Sequence, residues 1–173
     1  MLRPMSTHPL QSVMRDAGTL VLIGDSSQDR FPAYSYHSYT QTGQPFVCLD
    51  LGGLTESRGS TAGGPVYPTV EALPEHGPLA IVWLKPRSAT RGVEAAHAAG
   101  CTRIWFSFKT GHPDAVARAA ELGMEVVEIG RCPVYYSANK APACKAHTLL
   151  VKATGVWKRP PQLDPKADRR ELY

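Results

Sequence analysis

Five short apolar runs, spaced so that a helix fits between most neighbours, constrain this chain more than any other feature. The first is Thr19-Leu-Val-Leu-Ile23, stopped by Gly24, and the second is Pro45-Phe-Val-Cys-Leu49, stopped by Asp50. Leu79 to Leu84, Arg103 to Phe106 and Glu125 to Ile129 follow. The clearest of these runs do not alternate apolar with polar residues, so a strand built from them has no wet face and must be buried on both sides, as in a parallel sheet. Between them, Pro86 to Ala99 is Ala-rich and closes at Gly100, and Pro113 to Leu122 is stopped by Gly123, the pattern of helices with glycine C-caps. Phe31 to Thr42 is rich in Tyr, Ser and Thr and is a poor helix by propensity. Its position between two buried strands nevertheless predicts a crossover helix. Pro9 to Ala17 reads as a short leading helix, Val66-Tyr67 as an extended piece after the Gly- and Ser-rich loop Gly52 to Gly64, and Thr69 to Leu73 as one or two helical turns. The alternation predicts an α/β protein: a Rossmann-like, doubly wound, mainly parallel sheet of five to six strands with helices on both faces.

With 173 residues, 43% of them hydrophobic, the chain has enough apolar material for one independent core. The boundaries are an N-terminal helix or arm at 1–17, the α/β domain at 18–139 and a basic C-terminal extension at 140–173. The net charge of +4 is unevenly placed: residues 1–139 hold 11 Lys/Arg against 12 Asp/Glu, whereas residues 140–173 hold 8 against 3. A basic terminus with no acidic partner is most simply a solvated one, so nucleic-acid binding is not expected. Its apolar cluster Leu149-Leu150-Val151 needs a surface to cover, either the domain itself or a second subunit of a homodimer, while the last dozen residues are expected to be mobile. No run approaches the roughly 18 apolar residues of a membrane helix, and Met1 to Gln11 lacks the apolar stretch of a secretion signal. A cytoplasmic protein is expected. Cys48, Cys101, Cys132 and Cys144 form no CxxC pair, which argues for reduced thiols and against a zinc ribbon or a disulfide scaffold.

In such a sheet, ligands bind outside the carboxyl ends of the strands, so Gly24 to Tyr34 is the first candidate site. Ile23-Gly24-Asp25-Ser26-Ser27 superficially matches a GDS-type serine hydrolase with Ser26 as nucleophile. A serine nucleophile needs a base and oxyanion donors, and the Asp-x-x-His and Gly-x-Asn-Asp blocks that would supply them are missing. An NAD(P)-type dinucleotide site would want Gly-x-Gly-x-x-Gly here and an acidic residue ending the next strand. Asp50 meets the second demand, and it equally fits a plain strand-ending residue. The first demand fails, because after Gly24 the next glycine is Gly43.

A third reading takes the ordered set Gly24-x-Ser26, Arg30-x-Pro32-Ala33-Tyr34, Val66-Tyr67-Pro68-Thr69, Lys85-Pro86 after an apolar strand, Ala99-Gly100, Ile104-Trp105 and Arg131-Cys132-Pro133. Over residues 18 to 137 this set resembles the small stand-alone CoA-binding domain family, whose fold recurs in the CoA-binding domain of the succinyl-CoA synthetase alpha subunit. The resemblance implies coenzyme A or an acyl-CoA as ligand, bound without catalysis by this chain. It implies that Gly24, Ser26 and Ser27 offer backbone amides and hydroxyls to the phosphates, with Arg30, Lys85 and Arg87 as cationic partners. Tyr34 would pack on the adenine or pantetheine arm. Pro32, Asp50, Pro86, Ser107 and Cys132 complete the candidate set. The chain departs from the family at Trp105-Phe106-Ser107-Phe108, where related chains read Trp-Leu-Gln and then glycine; here Gly111 arrives later. Asp25 and Asp29 are expected to face solvent, because carboxylates turned inward would repel a phosphate. Cys132 reads as a buried strand-end thiol, and His37, His97 and His112 as surface or capping residues.

Overall fold

The computed structural model describes residues 8–163. Five strands, β1 (Leu20–Gly24), β2 (Phe46–Asp50), β3 (Leu79–Val82), β4 (Arg103–Phe106) and β5 (Glu125–Ile129), form one sheet in the order β2-β1-β3-β4-β5. Every pairing is parallel. The chain moves one way from β1 to β2 and the opposite way from β3 onward, which places the topological switch between β1 and β3.

Among the described residues, five α-helices cover the sheet: α1 (Pro9–Asp16), α2 (Ala33–Thr42), α3 (Ala89–Ala98), α4 (Pro113–Glu121) and α5 (Pro142–Ala153). The alternation of β1 divides the core. Val21 and Ile23 point to the side where Val93, Ala96, Ala115 and Ala119 of α3 and α4 pack. Leu20 and Leu22 point to the other side, with Leu10 and Met14 of α1 and Tyr36 and Tyr39 of α2. Small side chains on α3 and α4 let those helices approach closely: a Cβ on Gly92 would lie 2.5 Å from Val82 Cγ1.

Several boundaries shift from the sequence reading. The crossover helix starts at Ala33 rather than Phe31, behind Pro32. It buries Tyr36, Tyr39, Ser35 and Ser38, so packing outweighs its poor propensity. β3 ends at Val82 rather than Leu84, although Trp83 N–H still donates to Ile23 O, and the segment after Lys85 begins as a 3-10 turn over Pro86–Ser88 before α3. The turns expected at Thr69 to Leu73 form one 3-10 turn at Val70–Ala72.

The C-terminal extension continues the layer containing α1 and α2. On α5, Thr148 and Val151 are buried, while Leu149 and Leu150 are 67% and 63% exposed. The apolar triplet therefore docks through Val151 alone. Trp157, beyond α5, packs on the same core face. Arg131, buried after β5, holds this segment by donating from Nη1 to the carbonyls of Val156 (3.3 Å) and Trp157 (3.0 Å) and to Tyr136 Oη (3.0 Å), while its Nη2 pairs with buried Glu128. The mobility expected of the last dozen residues falls almost wholly outside the described range.

Candidate functional site

The loop leaving β1 closes on itself. Asp25 N–H donates to Arg30 O at 3.0 Å and Arg30 N–H to Asp25 O at 2.9 Å, with a 3-10 turn at Ser26–Gln28 between them. Gly24 is required by this closure, since a Cβ there would lie 2.6 Å from both Arg30 O and Pro32 Cδ. The loop after β2 presses against it: a Cβ on Gly52 would meet Ser26 Oγ at 2.5 Å and Ser27 N at 2.6 Å.

Two fully buried carboxylates fasten the loop. Asp50, at the end of β2, accepts from Ser26 N and Ser26 Oγ, both at 2.7 Å, and from Leu54 N at 2.9 Å. Asp25 accepts from Ser27 N at 3.0 Å and from the Ser27 hydroxyl through Oδ1, and from Arg91 Nη1 at 2.8 Å through Oδ2. Gln28 N–H and Asp29 N–H donate to Asp25 O and Ser26 O. Every amide from Asp25 to Arg30 is thus already bonded within the protein.

This arrangement corrects two expectations. Asp25 is buried rather than solvent-facing, because Arg91 on the first turn of α3 and the Ser27 donors give its charge partners; Asp29 is exposed as expected. The amides and hydroxyl protons of Ser26 and Ser27 are not open to a phosphate, because Asp50 and Asp25 occupy them. The same bonds give Ser26 and Asp50 structural roles, where the hydrolase reading had a nucleophile and the dinucleotide reading a ribose ligand.

Cations surround the switch point. The side chains of Arg30 and Lys85, each partly exposed, have no hydrogen bond or ion pair among the described residues. Arg87 is exposed on the 3-10 turn after Lys85, and Pro86 and Pro32 are buried. Arg91, missed by the sequence reading, stands 53% exposed beside Asp25. Its only signal in sequence was a basic residue one turn into the helix after β3. Tyr34 is 78% exposed on the first turn of α2.

Farther along the carboxyl ends, Ser107 is fully buried, its amide bonded to Val82 O at 2.9 Å and its hydroxyl without a partner among the described residues. Phe108 is half exposed, and Lys109, at φ +58°, places its ammonium 5.1 Å from the Phe108 ring centre. Cys132 lies three residues beyond β5, partly buried at the start of a 3-10 turn over Pro133–Tyr136, and burial pushes its thiol up to about 12. His112 caps α4 by accepting from Asp114 N, and His37 contacts Ser60 Oγ at 3.2 Å. A groove of about 810 Å³ lies elsewhere, along the outer edge of β2 between Tyr36, Phe46, Gly64 and Tyr67. It does not include the switch-point residues.

A parallel doubly wound sheet with a fastened loop and a cationic rim at its switch point defines a Rossmann-like α/β protein. The sequence profile of the CoA binding domain family matches residues 18–137, and the chain belongs to that family. No curated protein shows significant similarity to it. Among solved structures, a hypothetical protein from Pyrococcus horikoshii OT3 is similar at TM-score 0.60 and 21% identity, over 79% of this chain and 94% of that one. A protein redesigned for binding is similar at TM-score 0.60 and 20% identity, over 79% and 92% of the two chains. A Thermus thermophilus protein is similar at TM-score 0.52 and 16% identity, over 83% and 99%. These likenesses establish the shared fold. Among the described residues, no helix is long and apolar enough to cross a membrane.

Proposed function

We propose that this chain is a binding module for coenzyme A or an acyl-CoA, taking the ligand at the crevice outside the carboxyl ends of β1 and β3. What carries the reading is a cationic rim, with Arg30 and Lys85 lacking side-chain partners among the described residues, at the switch point of a domain of the CoA-binding family. The phosphates meet guanidinium and ammonium groups beside the first loop, where the loop amides are already bonded. Charge-assisted contacts of this kind suit the heavily phosphorylated end of CoA. Tyr34 offers an exposed ring to the adenine or the pantetheine arm.

The competing NAD(P) reading depends on Asp50 reaching a ribose hydroxyl. Both Asp50 oxygens already accept protein donors, which weighs against it. Titration calorimetry with CoA, dephospho-CoA and NAD tests the proposal. CoA is expected to bind and NAD to bind much more weakly; equal or tighter NAD binding would reverse the two readings.

A further inference from the structure

We infer that Arg91 is the group that binds the ligand's pyrophosphate, and that its ion pair with Asp25 holds it in position to do so. The inference rests on the CoA reading and goes beyond it by assigning the anion to one side chain. A phosphate at a switch-point loop is ordinarily held by backbone amides approached through glycines. This loop has neither resource. All six amides from Asp25 to Arg30 are bonded to protein oxygens, and the Ser26 and Ser27 hydroxyls donate to carboxylates. An anion lying against this loop must therefore be met by side-chain cations.

Of the cations at the rim, Arg91 has both a fixed position and donors to spare. Its Nη1 is anchored at 2.8 Å to a carboxylate that is itself fully buried and also bonded to Ser27. Its side chain is 53% exposed, and its remaining donors carry no bond to a described residue. A guanidinium can satisfy a carboxylate on one edge and a phosphate on another, because its five N–H groups point outward in a rigid plane. Anchoring removes the rotamer entropy that Arg30 and Lys85 lose on binding. The pair also explains how a buried aspartate coexists with an anion site: Arg91 neutralises Asp25 and screens it from the phosphates.

The test compares CoA and dephospho-CoA titrations, with melting temperatures, for the wild type, Arg91→Ala, Arg91→Lys and the double variant Arg91→Ala/Asp25→Asn. Arg91→Ala strands a buried carboxylate and is expected to melt lower, or to fail to fold. The double variant removes that penalty and is expected to regain thermal stability while binding both ligands at least tenfold more weakly than the wild type. Arg91→Lys keeps the charge but loses the fork, and is expected to bind between the two. Binding by the double variant within threefold of the wild type would overturn the inference, leaving Arg91 as a partner of Asp25 alone. A loss seen with CoA and absent with dephospho-CoA would also overturn it, by moving the contact to the 3′-phosphate. Should the double variant not fold, affinity of Arg91→Lys within threefold of the wild type overturns the assignment and a larger loss supports it. Failure of the wild type to bind either ligand would instead overturn the CoA reading itself.

Discussion

Tyr136 stacks on Trp157 with ring centres 4.4 Å apart and planes 25° from parallel, so a residue of the C-terminal extension completes the core face that the family domain presents. The Tyr136 hydroxyl also donates to Trp157 O at 3.0 Å, beside the Arg131 contact to the same carbonyl. Trp157→Ala is expected to lower stability by about 2–3 kcal/mol, less than for a fully enclosed tryptophan, as read by urea unfolding. A chain ending at Asn139 is expected to lose more stability and to retain CoA binding. Light scattering on the same pair reads whether exposed Leu149 and Leu150 join two copies of the chain.

Asp50 closes three donors with one carboxylate. Asp50→Ala leaves them unpaired in a buried setting and is expected to cost roughly 3 kcal/mol. Because the loop from Asp25 to Arg30 then loses its tie to β2, its Arg30 cation is less firmly placed and CoA affinity is expected to fall, and calorimetry alongside denaturation separates the two losses.

Arg30→Ala removes a rim cation whose side chain has no partner among the described residues, without disturbing the Asp25–Arg30 backbone closure. CoA binding is expected to weaken by about 1.5–3 kcal/mol while the melting temperature of the unliganded protein stays nearly unchanged. Unaltered affinity would remove Arg30 from the site.

Stability is expected to fall on both sides of neutrality. Burial pushes the thiols of Cys101 and Cys132 up to about 11 and about 12, so the native state keeps protons that the unfolded chain releases above 9.0. Stability is therefore lost between pH 9 and those values. On the acid side, burial and then the Arg131 charge lower the pKa of His8, whose ring accepts from Leu10 N. The unfolded chain then takes up a proton near 6.5 that the native state resists, and stability falls below that pH. His8→Asn keeps a capping side chain and is expected to flatten the acid limb of a melting-temperature profile.

Gly92→Ala tests the closeness of α3 to the sheet. Helix propensity favours alanine by about 1 kcal/mol. The added methyl lies 2.5 Å from Val82 Cγ1 and 3.0 Å from Leu84 Cδ1, so overpacking is expected to win, with a net loss of about 1 kcal/mol measured by denaturation.

Much of the architecture was legible because a buried parallel strand leaves an unbroken apolar run. Leu20 to Ile23 reads as such a strand, and its alternating halves face the two cores seen in the fold. Strand order was less legible, since apolar runs carry no record of their neighbours. In the candidate site, the loop at Gly24 was found from its place after the first strand. The fate of its amides was not, because it depends on Asp50, 24 residues away from Ser26, and on the turn that aims Ser27 at Asp25. Burial of Asp25 was unreadable for the same reason: its partner Arg91 lies 66 residues farther on. The division at residue 139 followed a change in composition, which registers charge and proline content but not the packing of Val151 and Trp157.

The closed loop between Asp25 and Arg30 has a kinetic consequence. A segment whose amides are all bonded does not have to order itself when a ligand arrives, so no slow rearrangement of that segment precedes capture. For the CoA site proposed above, encounter is then governed by the field of the rim cations, which predicts an association rate sensitive to ionic strength. On that proposal, discrimination among nucleotides falls to the dissociation rate, set by how well each one's phosphates match cations that were in place beforehand.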